Sequence, residues 1–336
     1  MNKEIPSAIP LARTQYIPQR ENAAKIIFLI AMMISSLYLM NIVSSSSSPL
    51  PSPLSFVVFG LLALWVSVLM LAMAILSHDG THRVLFRNAF INDLASGLLS
   101  AFGGGVPFYA NRQFHLTHHS YAHQGEADPE HRMHSKSFYY ALIIGSFMGL
   151  YLQYKVMLDN LQRGLHHSNK DRKYLWRALK DISFITVMAL CYFKGLPALG
   201  ISPLHSIVPA FLLFPVVFAW RAISDHYGLP KVKRKSDLYP STKEMEVLEN
   251  SEVINEDIAR HSAQQTSGWV VHTSPWLEWL WSHVNYHEVH HKFPYLSHVH
   301  LPQAFLATQQ SHRYREVNGY SRSLLALRDK NYYSEE

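Results

Sequence analysis

Histidine spacing sets the chemistry open to this chain. His287, His290 and His291 stand at positions i, i+3 and i+4 of the run His-Glu-Val-His-His. On a helix those positions share one face, about a turn apart. His115, His118 and His119 repeat the spacing in His-Leu-Thr-His-His, and His78 and His82 stand at i and i+4 in His-Asp-Gly-Thr-His. Neutral imidazole is a ligand for iron, zinc, copper and nickel. One such cluster reads equally well as a polar helix face, whereas three, each beside a long apolar segment, point to metal. Eight imidazoles exceed the four ligands of a structural zinc, so the expectation is two ions sharing one site. His226, just beyond the last apolar run, is a ninth candidate ligand.

An all-imidazole set differs from the Glu-rich di-iron sites of soluble helical bundles. Neutral donors leave a pair of iron ions electrophilic, which suits activation of O2 and attack on unreactive C–H bonds. Metal-bound histidines usually donate their second N–H to a carboxylate or carbonyl. Asp79, Asp128, Asp225 and Glu288 lie within or close to the ligand stretches and are expected in that role. No catalytic residue is expected beyond the ligands. His123, His131, His134, His283, His298 and His300 read as surface or supporting residues, and His166 and His167 carry no assignment.

The elements that must hold these histidines are membrane helices. Hydrophobic residues make up 48% of the 336 residues and charged residues 16%, against about 25% charged in average soluble proteins. The net charge of +6 reads as cytoplasmic loops near anionic headgroups. Nucleic-acid binding is not expected, because the basic residues lie beside apolar spans. A single cysteine, Cys191, permits no internal disulfide and no Cys-x-x-Cys iron site. Within its apolar run it reads as a small core residue.

Ile26–Val43 and Leu54–Leu76 are apolar runs joined by a helix-free link through Pro49, Pro51 and Pro53. Leu54–Leu76 carries no charge over 23 residues, enough to cross about 30 Å of hydrocarbon. Ile182–Leu199 and Pro203–Trp220 read as a second hairpin. Ala89–Tyr109, broken by Gly103, Gly104 and Gly105, reads as re-entrant or interfacial. Ser137–Leu158, rich in tyrosine, is expected along the interface. Residues 159–181 read as soluble and 230–261 as a charged surface excursion. The Ser44–Ser48 run without an Ala-x-Ala site argues against a cleaved signal peptide.

If the clusters meet at one site, an even number of crossings separates His119 from His287, which leaves four crossings in all. The Ser44–Pro53 link has no lysine or arginine, while the segments around the clusters carry Arg83, Arg87, Arg112, Arg163, Lys170, Arg172 and Lys173. The metal side is therefore expected to be cytoplasmic. The expected fold is all-α: a multi-pass integral membrane protein with two transmembrane hairpins and a cytoplasmic helical cap around a histidine-ligated di-metal site. Residues 1–23 are read as a cytoplasmic arm, 24–305 as the membrane domain with its cap, and 306–336 as a cytoplasmic tail.

The triplet His-x3-His, His-x2-His-His and His-x2-His-His resembles the integral-membrane fatty acid desaturase and hydroxylase superfamily. Asp128-Pro129 is similar to that family's Asp-Pro, and Asn285-Tyr286-His287 and Phe293-Pro294 to the flanks of its last box. Ser224-Asp225-His226-Tyr227-Gly228 resembles its Glu-His element, with Asp225 in place of the usual Glu. The resemblance covers roughly residues 55–305. It implies a di-iron enzyme that uses O2 and two external electrons, with desaturation of a fatty acid or acyl-lipid as the leading activity. Hydroxylases, carotenoid ketolases and related fatty acid oxidases share the same boxes. In some members an Asn four residues before the extra histidine contributes through a water; Ala222 stands there in this chain, so that contact is not carried over.

The chain has no cysteine motif and no Gly-rich dinucleotide fingerprint. The resemblance therefore implies a separate electron donor of ferredoxin, rubredoxin or cytochrome type. Lys231, Lys233, Arg234 and Lys235 could steer an acidic donor. The other expected partners are the bilayer and an apolar substrate. A metal-handling transporter is the alternative of another class. Transport favours ionisable residues within the spans, and Leu54–Leu76 has none.

Overall fold

The computed structural model describes residues 17–45, 51–134, 137–166, 171–226, 268–309, 312 and 314–328. Residues 1–16 of the expected arm, Tyr227-Gly228, the 230–261 excursion with Lys231, Lys233, Arg234 and Lys235, and the tail from 329 lie outside the described residues.

The described chain is mostly helical: α1 (Gln19–Val43), α2 (Ser52–Thr81), α3 (Ala89–Phe102), α4 (Phe108–Tyr121), α5 (His131–His134), α6 (Phe138–His166), α7 (Arg172–Ala198) and α8 (Ile207–His226). Beyond them come β1 (Val270–His272), α9 (Pro275–Leu280), α10 (His287–Lys292), α11 (Leu301–Thr308), β2 (Glu316–Asn318) and α12 (Tyr320–Ala326). Among the described residues α1, α2, α6, α7 and α8 are long and apolar enough to cross a membrane. With its 30 residues, α2 runs about 45 Å at 1.5 Å per residue. It outreaches a hydrocarbon core of about 30 Å. Ile27, Ile30 and Ile34 on α1 and Phe147, Tyr151 and Leu158 on α6 are apolar and exposed, the surface that lipid rather than water covers.

The chain divides into two compact units. The first comprises Ile17–His115 and Ser146–Ala219. Here α2 packs against α1 and α3, α6 against α7, and α3 against α7. Ser67 on α2 donates its hydroxyl to the Ala210 carbonyl of α8 (2.7 Å). Asn41, near the end of α1, donates to the Gly200 carbonyl (3.0 Å) and accepts from the Ser202 amide (2.9 Å), which holds the α7–α8 link beside it. The first turn of α1 anchors the loop after His82: Asn22 donates to the Leu85 carbonyl (2.8 Å), and the Gln19 side chain accepts from the Arg87 amide (3.1 Å).

Several sequence-based boundaries are corrected. α1 begins at Gln19 rather than at the apolar Ile26, because burial of Asn22 and Lys25 in this packing keeps a polar turn helical. α2 starts at Ser52, since Pro53 in a first turn lacks only an amide that no helical carbonyl needs. Within the charged 159–181 stretch α6 continues to His166 and α7 starts at Arg172. Lys155–Asp159 and Arg163–Asp171 pair on the exposed side, while Met157, Asn160, Ala178 and the carboxylate of Asp181 face inward. Ala89–Tyr109 is the short helix α3, capped by Asn88 on the Phe90 and Ile91 amides, then a glycine turn and the start of α4. Gly104 (φ 148°) and Gly105 (φ 69°) adopt backbone that side chains disfavour, and a Cβ on Gly103 would lie 2.6 Å from the Ala74 amide. Cys191 is exposed on α7, not buried in a core, because a membrane helix can turn apolar residues outward.

The second unit comprises Leu116–Gly145 and the described residues from Trp220 onward. Its core gathers Val270, Tyr286, Val289, Leu296, Leu301 and Phe305. One short parallel pair, β1–β2, accompanies the helices, in keeping with the helical fold expected from sequence. It has a positioning task. The Asn285 side chain donates to the Val271 carbonyl (3.1 Å) and to Glu278 Oε1 (3.0 Å), while the Asn285 backbone carbonyl accepts from the Val271 amide (2.9 Å). The residue two before His287 is thus clamped to β1, which fixes the entry into α10. Continuing past Trp220 to His226, α8 delivers that histidine into this unit.

Candidate metal centre

In the first unit the end of α2 supplies His78 and His82 and α4 supplies His115. His115 Nε2 lies 2.8 Å from His78 Nε2 and 3.1 Å from His82 Nε2. The rings meet edge to face, with interplanar angles of 64–82°, so the nitrogens converge instead of the rings stacking. Burial, then the neighbouring His115 and Arg112, hold His82 well below the ordinary histidine range. The neutral ring is the form that binds metal.

The second unit gathers His118, His226 and His291, whose donor atoms all lie within 4.8 Å of one another. His118 Nε2 is 3.1 Å from His226 Nε2 and 3.3 Å from His291 Nε2. His287 reaches the group through His226 (2.8 Å), and His290 and His119 meet at 3.1 Å, each through Nε2. All six imidazoles are buried. Burial, then the surrounding His119, His287, His226 and His118, hold His291 well below the usual range. His118 differs. Burial disfavours its charged form, but Glu130 and Asp128 outweigh burial and push it up to about 8. A metal ion competes with that proton.

The helix spacing explains this local geometry. His118 and His119, three and four residues past His115, continue one face of α4, and α10 repeats the pattern. The donor set suits a divalent transition metal: several buried imidazoles converge through Nε2, with a carboxylate behind one of them.

Asp128 stands beside His118. Its Oδ1 accepts from His118 Nδ1 (2.8 Å) and the Glu130 amide (2.9 Å), and its Oδ2 from the His123 amide (2.9 Å). With Nδ1–H committed, the Nε2 lone pair of a neutral His118 faces inward. Asp128→Ala is expected to weaken metal binding by about 10–100-fold, read as metal retained after dialysis; undiminished retention would sink that role. Asp225 departs from expectation: Arg221 pairs with its carboxylate (2.8 Å), and His287 Nδ1 stands 3.7 Å away, beyond a hydrogen bond. Glu288, fully buried, takes His312 Nε2 (3.2 Å). Asp79 is buried and attracted to Lys25. His123 and His134 pack their rings near His226, whereas His283 and His298 stack on each other.

Sequence reasoning missed Asp181, Glu130 and His312. The two oxygens of Asp181 on α7 accept from the Tyr109 amide (2.7 Å) and the Ala110 amide (3.0 Å), capping the α4 turn that leads to His115. No local pattern marks Asp181 or His312. Glu130 had one signal, its place directly after Asp128-Pro129.

No curated protein matches the chain. A family model described as fatty acid desaturase matches residues 52–319, well over half of the chain, and takes in all the candidate ligands.

Proposed function

The chain belongs to the fatty acid desaturase family, and from that premise we propose that it desaturates an acyl chain of a fatty acid or lipid, using two iron ions, O2 and external electrons. The observation that carries this reading is the convergence of buried Nε2 atoms from His118, His226 and His291. His78, His82, His115, His118, His119, His226, His287, His290 and His291 hold the two ions. The helix α4 supports this reading, since it presents His115, His118 and His119 at i, i+3 and i+4. Bound there, iron supplies the O2 chemistry that attacks a C–H bond. The protein's own part is to bury and orient these rings, holding His82, His226 and His291 neutral. Asp128 fixes one tautomer, and Asp79, Asp225 and Glu288 stand buried near the ligands.

The metal side is cytoplasmic, with four crossings and α6 lying along the interface. The charged ends of α6 and α7 near the 167–171 link support that side. The Asn41 bonds to Gly200 and Ser202 support two hairpins whose links share one side. The domain limits at 23 and 305 follow the same reading. Electrons come from a separate ferredoxin-, rubredoxin- or cytochrome-type donor.

The test is expression with such a donor, with mass spectrometry of lipids and pigments and iron analysis of the purified protein. An acyl product lacking two hydrogens is expected, with about two irons per chain. A product that gains an oxygen makes it a hydroxylase or ketolase. Bound zinc without iron, or unchanged lipids beside bound metal, would overturn the reading.

A further inference from the structure

We infer that Arg83, Arg112, Arg177 and Lys180 hold the phosphate of an anionic membrane phospholipid. Arg83 follows the end of α2, Arg112 lies on α4, and Arg177 and Lys180 lie on α7. Asp93 on α3 joins the first two. Its Oδ1 accepts from Arg112 Nη1 (3.3 Å) and Asn92 Nδ2 (3.2 Å), and its Oδ2 from the Tyr109 hydroxyl (3.3 Å). Arg83 Nη2 reaches Oδ2 only at 3.9 Å, with 55% of its side chain exposed. Lys180 Nζ lies 5.2 Å from the centroid of the Tyr109 ring, a cation–π contact. Asp181, the other acid close to Tyr109, turns inward onto the Tyr109 and Ala110 amides. Among the described residues neither Arg177 nor Lys180 forms an ion pair. Burial, then the Arg83 cation, pull Arg112 below the ordinary guanidinium range, and Arg177 adds to the repulsion while Asp93 opposes it. An anion among the four cations relieves that repulsion.

The surroundings are apolar and exposed, which identifies what carries the anion. On α3 Phe90, Ile91 and Leu94 flank Asp93, and on α7 Trp176 and Leu179 alternate with Arg177 and Lys180. Because α3 packs against α7, both apolar faces border the same cations. Acyl chains cover such a surface better than water does. Basic groups between membrane helices bind anionic headgroups. The planar fork of arginine matches two phosphate oxygens at once, and a guanidinium has five N–H donors to offer. Trp176 and Tyr109 add aromatic rings, which favour headgroup depth. A zwitterionic headgroup brings its own cation into the cluster and is repelled. A free phosphate lacks the chains that the apolar faces accept.

The experiment uses full-length protein in detergent, freed of lipid and mixed in turn with phosphatidylglycerol, phosphatidylcholine and inorganic phosphate. Native mass spectrometry counts retained lipid, and thermal unfolding reports stabilisation. Phosphatidylglycerol is expected to be retained and to raise the Tm, more than phosphatidylcholine or inorganic phosphate does. Arg83→Gln/Arg177→Gln alters two exposed side chains. It should bind phosphatidylglycerol about 25-fold more weakly, about 5-fold for each charge lost. Lys194→Gln, at an exposed cation near the other end of α7, should match wild type. Undiminished phosphatidylglycerol binding in the double variant would overturn the inference. Equal stabilisation by inorganic phosphate would assign the cluster to a free anion and overturn the lipid. Equal retention of phosphatidylcholine would overturn the charge argument. If circular dichroism shows that the double variant fails to fold, Lys180→Gln decides: binding about 5-fold weaker supports the site, and unchanged binding refutes it. Each outcome is read without turnover, so failure here leaves the proposed reaction standing.

Discussion

Replacing His226 with alanine is expected to abolish turnover and strip iron from the protein as thoroughly as His290→Ala. His226 lies outside all three histidine boxes, yet its Nε2 is 3.1 Å from His118 Nε2 and 2.8 Å from His287 Nε2. It is the one donor that α8 brings to the second unit's cluster. Six residues of helix carry it about 9 Å past Trp220, from the end of the apolar run to where α4 and α10 present their histidines. Its loss leaves His118 and His291 without the third member of their group, and no neighbouring nitrogen on α8 can replace it. A fall in metal affinity of more than about 100-fold is expected, beyond the range for losing a supporting partner. His205→Ala, at an exposed position in the lead into α8, should change little. Near-normal iron and turnover in His226→Ala, beside loss of both in His290→Ala, would reduce the ligand set to the box histidines.

Gly80→Ala is expected to be nearly as damaging, although it removes no ligand. Gly80 sits between His78 and His82, where α3 crosses α2 closely. A Cβ there would lie 1.6 Å from Ser96 Oγ and 2.5 Å from Ser96 Cβ. Rotation of the hydroxyl relieves the first clash but not the second, so the helices must part. Two bonds depend on their closeness: Asn92 Nδ2 donates to the Gly80 carbonyl (2.9 Å), and Ser77 Oγ donates to the Ser96 carbonyl (2.8 Å). Small residues permit such approach between membrane helices. Overpacking costs about 1–3 kcal/mol, and the displaced turn carries two candidate ligands. Thermal unfolding in detergent and metal content both read the effect. Ser96→Gly removes both clashing atoms, so the Gly80→Ala/Ser96→Gly pair should recover metal binding, a positive coupling that additive effects would not produce. Wild-type stability and metal content in Gly80→Ala would sink this account.

The box histidines were legible because their geometry is local. Offsets of three and four residues place side chains on one helix face whatever surrounds the helix. His226 was legible for a related reason: a helix that continues past its apolar run has a known reach. Asp128 could be read from its nearness in sequence to His118, and its carboxylate does take that ring's Nδ1–H. Composition and the long apolar runs likewise determined that the chain is a multi-pass helical membrane protein.

Helix limits and distant partners depended on tertiary contacts. Asn22 and Lys25 belong to α1 because neighbouring elements bury them, and the charged residues 159–166 and 172–181 are helical because one face packs while the other bears ion pairs. Cys191 defied the usual inside-out reading, since lipid makes an apolar residue stable facing either way. Asp181 caps a helix 71 residues away, and Glu288 meets His312, 24 residues on. Asp225, beside a candidate ligand in sequence, turns instead to Arg221 one helical turn back. Spacing along one helix is fixed by covalent geometry, and so the amino-acid order alone determined which nitrogens could act together. Which carboxylate stands behind which ring, and how closely Gly80 lets two helices approach, depends on packing between segments far apart in the chain, and only the tertiary structure decided it.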